Sequence, residues 1–399
     1  MLKKIYNFLL FFCYPIIPFY WIFSKFYTVK FGNISPYRIG HLVGELSLWH
    51  LENLNKKKDY VEIWYVHKNA CSKFFVKKIK HKIKISNSFL IKVLHDVFKK
   101  FNKNEYIIDP PKYGERDING LIYKNDKIIN FSKKEIDLGN SLLEKIGISK
   151  DQEIVCICIR DNHFFKNSVP DFAWKRYEFK NSNIENYNKA INYLNTKNIA
   201  VVRMGAGSEK SWSMTGNINI DYSLSKLRQS FLDFFLIYRA KFVIMNGTGF
   251  YWVPYVLKKP IVMADFIPIG SICSYIPNSI HIFKHIYSNQ KKRNLMLDEL
   301  FSDEFNFVYG SDKYKQRNLE IVDNSPDEIF ECVREMNEKI DGEWENTGDH
   351  QTNQKIFWDN YPKFIKNYKN GLQRHKEINA SIGNIFLKKY ISNFKGANI

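Results

Sequence analysis

Three short polar clusters follow apolar runs in this chain, and their residue types suit an anionic ligand. Arg160-Asp161 follows Ile154–Ile159, Arg203-Met204-Gly205 follows Ile199–Val202, and Asn246-Gly247-Thr248-Gly249 follows Lys241–Met245. Each run is short and apolar, as buried strands are. If the strands are parallel, their carboxyl ends share one rim, where open α/β sheets bind ligands. A Gly-bearing βα turn on that rim aims amide N–H groups and a positive helix end at one spot, which suits a phosphate. The helix end contributes about 0.3–1 kcal/mol, whereas a charge-assisted Arg–phosphate contact contributes about 1.5–3 kcal/mol. Arg160 and Arg203 are therefore expected to dominate a diphosphate site that also takes in Asp161, Gly205, Asn246, Gly247, Thr248 and Gly249. The competing expectation is that either arginine pairs internally with a carboxylate such as Asp161.

A second cluster lies nearer the amino terminus. His41 and Glu45 are four apart in RIGHLVGELSLWH (Arg38–His50), which reads as a helix, so they share a face. Either could orient or deprotonate a hydroxyl. Gly40 and Gly44 would let that helix approach its sheet closely. Other chemistries are missing their signatures. No Asp-x-Asp pair is present to hold a diphosphate through a divalent ion, and there is no Walker loop. Gly205-Ala206-Gly207-Ser208-Glu209-Lys210 departs from G-x-G-x-x-G at its last position. His281 and His285 are four apart but lack a third ligand nearby. No metal and no resident cofactor is therefore expected, and a nucleotide-sugar would enter as substrate.

The elements that must position these residues alternate between strand and helix, which argues for parallel α/β sheets. Ser230 to Phe266 reads as helix, strand, Gly turn, helix, strand, with a capping box at Ser230 and Asp233. Pro254 is tolerated only if its helix begins near Tyr251. Ser182 and Glu185 form a further capping box, and Ser325-Pro326-Asp327-Glu328 opens another helix. Thr28–Ile34, Val61–Val66 and Tyr106–Ile108 are strand candidates in the amino-terminal part. The expected division is 1–27 hydrophobic membrane-associating segment, 28–134 α/β acceptor domain, 135–345 α/β donor domain, and 346–399 helical segment packing back on the amino-terminal domain.

Charge and the amino terminus point to a membrane. The 399 residues carry a net charge of +19, and Glu52 to Lys103 alone has 14 Lys against 4 acidic residues. Lysine enrichment spread over solvated surface accounts for part of this. An anionic membrane surface is the sharper reading, at roughly 1 kcal/mol per well-placed Lys. Nucleic acid is not expected as a partner, because this segment lacks the Arg that base readout favours. Ile5 to Phe23 holds no charge and is rich in aromatics, and Pro15 and Pro18 interrupt it. It reads as a retained anchor, lying in the interface or spanning once, and separable from the folded domains. The six cysteines form no disulfide or zinc pattern, which suits reduced thiols in a cytosolic compartment.

At RIGHLVGE (Arg38–Glu45), CIRD (Cys158–Asp161), NSNIENYNKAINYL (Asn181–Leu194), VVRMG (Val201–Gly205), DFFLIYRAKFVIMNGTGF (Asp233–Phe250), KKPIVMADFIPI (Lys258–Ile269) and NSPDEI (Asn324–Ile329), the chain resembles a family of bacterial surface-polysaccharide glycosyltransferases of the fucosyltransferase-like group. The resemblance implies a GT-B-like fold: α/β, two Rossmann-like domains facing a cleft, with the membrane anchor preceding them. It implies transfer of a sugar from a nucleotide-sugar donor to a glycan or glycolipid acceptor of lipopolysaccharide or capsule type. Arg160 would touch the donor pyrophosphate and the 246–250 turn would cradle it. Ile157 and Cys158 stand where that group has a His before its Arg. The implied location is the cytoplasmic face of the bacterial inner membrane, peripheral or single-pass. The alternative is a non-catalytic scaffold that binds sugar-nucleotides or glycans at the membrane.

Overall fold

The structure is a computed structural model of the 399-residue chain and describes residues 2–108, 116–168, 174–208, 211–214, 218–302, 310–365, 375–391 and 394. The chain divides into two compact units, Met1–Arg116 and Asp117–Ile399. The expected boundary at 134/135 thus moves to 116/117. The physical reason is Asp117, a buried carboxylate that accepts the amides of Leu121 and Ile122 and the Tyr255 hydroxyl, each at 2.8 Å. These bonds tie the segment after Arg116 to the second unit.

In the first unit, strands β1 (Val29–Asn33), β2 (Val61–Tyr65), β3 (Ile85–Ser86) and β4 (Ile107–Ile108) form a wholly parallel sheet of order β3-β2-β1-β4. Gly32 is required on β1, because a Cβ there would lie 2.5 Å from the Trp64 ring of β2. The β1–β2 crossover is helical over 39–52, with a π-helical turn at His41–Glu45 leading into the α-helix Leu46–Glu52. Leu42, Val43 and Leu46 of that run are fully buried.

The amino-terminal segment departs from expectation. It forms two helices, Leu2–Phe12 and Ile16–Ser24, bent by 59° where Pro15 caps the second. Among the described residues no single helix is long and apolar enough to cross a membrane. Leu10 and Ile17 belong to one buried cluster with Phe31 of β1, Val97 and Phe98 of the helix Phe89–Lys100, and Tyr106 and Ile107. The Tyr6 hydroxyl donates to Asp96 at 2.9 Å, and the Val29 amide donates to the Tyr20 hydroxyl at 3.0 Å. Burial alone would raise the Asp96 carboxyl, but hydrogen bonds from His95, Lys92 and Tyr6 outweigh it and hold the pKa at about 2. The segment is therefore part of the first unit's core and not a separable anchor.

The second unit is built on strands β5 (Ile154–Cys158), β6 (Ala200–Arg203), β7 (Ile220–Asp221), β8 (Val243–Met245), β9 (Ile261–Phe266) and β10 (Ser279–Phe283). A small antiparallel sheet of order β12-β11-β13 follows, from His285–Ser288 (β11), Arg293–Asn294 (β12) and Leu319–Val322 (β13). Ser381–Ile382 (β14) returns to the main sheet, giving the all-parallel order β14-β10-β9-β8-β5-β6-β7. Its first six strands follow the 3-2-1-4-5-6 order of a doubly wound fold. The segment 346–399 supplies β14 beside β10 and the helices Gly348–Ile365 and Asn384–Ile391 to this unit.

Two capping expectations are corrected. The helix Ser230–Arg239 is preceded by Gln229 with no side-chain cap, and Asp233 instead accepts the Tyr222 hydroxyl at 3.0 Å. Asn183, not Ser182, caps the turn Ile184–Tyr187, because Ser182 is engaged by Asn246. The capping box at Ser325 and Glu328 is present as expected, with Pro326 in the first turn of Pro326–Asp341.

The buried positions of the amino-terminal helices yield a stability test. Leu10→Ala and Ile17→Ala should each lower the first unit's stability by about 2–5 kcal/mol, as truncations in a packed core do. Denaturant unfolding checks this; an unchanged midpoint in both variants would mean the helices are a detachable appendage.

Candidate active site at the carboxyl edge of the second sheet

The chain lays down β5, adds β6 and β7 on one side, then crosses to add β8 on the other. The connections after β5 and β8 therefore diverge and leave a crevice at the carboxyl ends of those two strands, the place where doubly wound sheets bind ligands. Arg160 and Asn246-Gly247 lie there. The Cα of Cys158 pairs with Met245, and two residues on the Arg160 amide donates to Asn246 Oδ1 at 3.0 Å. Asn246 is fully buried, and its Nδ2 donates to the Lys180 carbonyl (2.9 Å) and Ser182 Oγ (3.0 Å). The Arg160 carbonyl accepts the Ser182 amide at 3.2 Å. The Arg160 main chain is thus fixed on both sides. Its half-buried guanidinium donates through Nε to the neutral Asn181 Oδ1 at 3.2 Å.

Asn246 was expected as a ligand contact, but its donors and acceptor are committed to this clamp. Thr248 is likewise a local cap: its hydroxyl accepts the Phe250 amide at 3.1 Å and its own amide turns back to the Asn246 carbonyl at 2.6 Å. Neither bond uses the amides of Gly247 or Gly249, residues that are themselves at least partly exposed. The following helix is shorter than expected, a 3-10 turn Gly249–Tyr251 and one α-helical stretch Trp252–Val256. Pro254 fits because it falls near the start of that stretch, where an N–H has no intrahelical partner. So short a helix supplies little macrodipole.

On the other side of β5, Arg203 takes the competing course. It is buried, in register with Ile157, and its Nη1 donates to the equally buried Asp221 Oδ2 of β7 at 3.1 Å. Asp221 Oδ1 accepts Ser223 Oγ (2.5 Å), which in turn meets Ser208 Oγ (2.9 Å). Arg203 therefore carries its own counter-charge and organises the loop after β6. Gly205 and Gly207 of that loop have φ of +150° and +95°, and a Cβ on Gly207 would lie 2.5 Å from His163 Nε2. Asp161 is also structural, since its Oδ1 accepts the His163 amide at 2.9 Å and starts the short helix His163–Ser168.

His163 is the residue that sequence reasoning overlooked. The Asp-x-His spacing of an Asx turn was its one available signal; its approach to Gly207 needs the fold. In the first unit, His41 and Glu45 do meet, through His41 Nδ1 and Glu45 Oε1. Glu45 is buried and His41 half-buried. The π-helical turn that carries them is a device often found at functional sites.

Other candidates are structural. Burial pushes the Cys158 thiol up to about 12 and Cys156 higher still, so neither is a thiolate at neutral pH. His285 lies between Glu328 Oε2 (2.9 Å) and the Tyr390 hydroxyl (2.6 Å). Burial opposes ionisation of Glu328, but His285 and Lys389 hold its carboxyl well below the usual range. Among the described residues no three of His, Cys, Asp and Glu are grouped closely enough to hold a metal ion.

No protein-family model and no curated protein matches the sequence. Three solved structures are similar in backbone course. One is a glycosyl transferase of family 9 from Veillonella parvula, with TM-score 0.42 and 11% identity over 64% of this chain and 86% of that one. Another is the ADP-heptose lipopolysaccharide heptosyltransferase II of E. coli, with TM-score 0.43 and 12% identity over 77% and 98%. A third is the iron-containing dodecameric glycosyltransferase TibC of enterotoxigenic E. coli, with TM-score 0.37 and 13% identity over 79% and 76%. None of the three is fucosyltransferase-like by its description, and likeness at this level bears on neither donor nor acceptor.

The contrast between the two arginines has a measurable consequence. Arg203→Ala should destabilise the second unit by about 3–5 kcal/mol, because it strands Asp221 as a buried unpaired charge. The double variant Arg203→Met/Asp221→Leu should recover most of that loss in thermal unfolding. A single variant as stable as the native protein would mean that the ion pair is not buried as described.

Proposed function

We propose that this chain is a glycosyltransferase that moves a sugar from a nucleotide-sugar donor to a surface-glycan acceptor such as a lipopolysaccharide or capsule precursor. The observation that supports this reading is the bond from the Arg160 amide to Asn246, the residue before Gly247, at the β5/β8 crevice. A dinucleotide enzyme with the same strand order needs glycines in the first βα turn, so that the pyrophosphate can approach the backbone. Here that turn is Arg160-Asp161-Asn162-His163, with no glycine. A guanidinium at that place suits a diphosphate that must be stabilised as it leaves.

In the reaction the acceptor oxygen attacks the anomeric carbon, and the bond from that carbon to the diphosphate oxygen breaks with its electron pair on the departing group. Arg160 and the Gly247 amide are assigned to the charge that builds there, a role that preorganised donors fill at low reorganisation cost. No divalent ion is assigned this role, because Arg160 supplies the positive charge and the sequence has no Asp-x-Asp clamp. The second unit is assigned the donor and the first the acceptor. Glu45 engages His41 Nδ1, which selects the tautomer whose basic nitrogen is Nε2. Nε2 would take the acceptor hydroxyl proton, with Glu45 stabilising the imidazolium. The six free cysteines, one of them exposed, support a reducing compartment and hence the cytoplasmic side of the membrane.

A thermal-shift panel of nucleoside diphosphates identifies the donor base, since a bound ligand raises stability by mass action. With that donor, Arg160→Ala should lower kcat by about tenfold to a hundredfold, the equivalent of one charged hydrogen bond. His41→Ala should lower transfer to the acceptor while leaving diphosphate binding intact. Native turnover in Arg160→Ala, with folding verified, would defeat the assignment. Diphosphate binding without any transfer, over a broad acceptor panel, would favour the non-catalytic scaffold.

A further inference from the structure

The amino-terminal helices have two faces with opposite fates. One face is locked into the first unit by Leu10, Ile17, Tyr6 and Tyr20. The other exposes large apolar side chains: Phe8 (61%), Phe12 (70%), Phe19 (75%), Trp21 (53%) and Ile22 (53%), with Phe26 (86%) in the turn just beyond. Residues 5–27 hold 12 of the 22 large hydrophobic side chains that are exposed among the described residues. Phe89 and Leu90, at the start of the helix Phe89–Lys100, extend the same patch, with the Phe89 ring 6.2 Å from Tyr6. An open apolar groove of about 430 Å³, walled by Pro15, Ile16, Phe19, Tyr20 and Phe23, runs along the bend.

The edge of this patch is cationic. Lys25 Nζ lies 3.9 Å over the Trp21 ring and Lys100 Nζ 3.6 Å over the Phe11 ring. Lys92 lies 4.3 Å over Tyr6, where it also pairs with Asp96. No acidic residue occurs between Met1 and Gly44. Phe, Trp and Tyr beside lysines match the boundary between acyl chains and anionic headgroups. A protein partner of the same area would need carboxylates arranged around an apolar centre, whereas an anionic leaflet offers both at every position.

We infer that the bent helix pair is a monotopic docking face, which lays its exposed side into one leaflet of an anionic phospholipid bilayer without crossing it. Crossing would require pulling Leu10, Ile17 and Tyr20 out of the core and leaving Phe31, Phe98 and Tyr106 uncovered. The 59° bend divides the exposed apolar side chains between two short helices.

Co-sedimentation of the full chain with vesicles tests this. The chain should bind vesicles of mixed phosphatidylcholine and phosphatidylglycerol at least tenfold more tightly than phosphatidylcholine alone. Binding should weaken as salt is raised towards about 1 M, where the Debye length falls to about 3 Å. The variant Phe8→Ser/Phe19→Ser/Phe26→Ser touches only exposed positions. It should lose binding at least tenfold while unfolding at the native temperature. An amino-terminal peptide tag on the bound protein should remain open to protease added outside the vesicles. Native-like sedimentation of the triple variant would overturn the proposal, as would a protease-protected tag. So would a dimer in vesicle-free solution that the triple variant converts to monomer, since the face would then belong to a second copy.

Discussion

One buried amide holds the proposed site together. Asn246 accepts the Arg160 amide and donates to Lys180 and Ser182, so a single uncharged side chain ties the ends of β5 and β8 to the 180–182 segment. The connections after these two strands run to opposite sides of the sheet, and a crevice opens between them. Nothing in a sheet's own hydrogen bonding fixes the chain beyond the last ladder pair. Asn246 does so without adding charge, which leaves the rim's electrostatics to Arg160 and the glycine amides.

The two arginines near the rim differ in burial and in partner. Arg203 is desolvated and could persist only with a counter-ion, which Asp221 supplies from the adjacent strand. Its charge is consumed in holding the loop that carries Gly205 and Gly207. Arg160 lies two residues beyond the end of β5, half-exposed, with its Nε on a neutral amide.

Much of this was legible in the residues. Ile154–Ile159, Ile199–Met204 and Lys241–Met245 were recognisable as strands because a buried parallel strand is apolar on both faces, and the polar residues after them mark the rim. The capping box at Ser325 was legible because its bonds are local. Ser230 and Ser182 carried the same pattern and failed, since Tyr222 and Asn246, distant in sequence, claim Asp233 and Ser182. Arg203 could not be assigned from sequence, because Asp221 lies 18 residues away across a strand pairing. The two-residue strands β3, β7 and β14 are too short to show periodicity. The amino terminus read as a free anchor because its composition is that of an interface. Only the fold shows that part of that apolar surface, through Leu10 and Ile17, is spent on the protein itself.

The central claim is that a diphosphate occupies the crevice between β5 and β8. A crystal structure of the protein with a bound nucleoside diphosphate tests it most directly. The account requires phosphate oxygens within hydrogen-bonding distance of the Gly247 amide and the Arg160 guanidinium, with the Arg203–Asp221 pair intact. A diphosphate seated over β6 and β7 on Arg203, with Arg160 untouched, would contradict it.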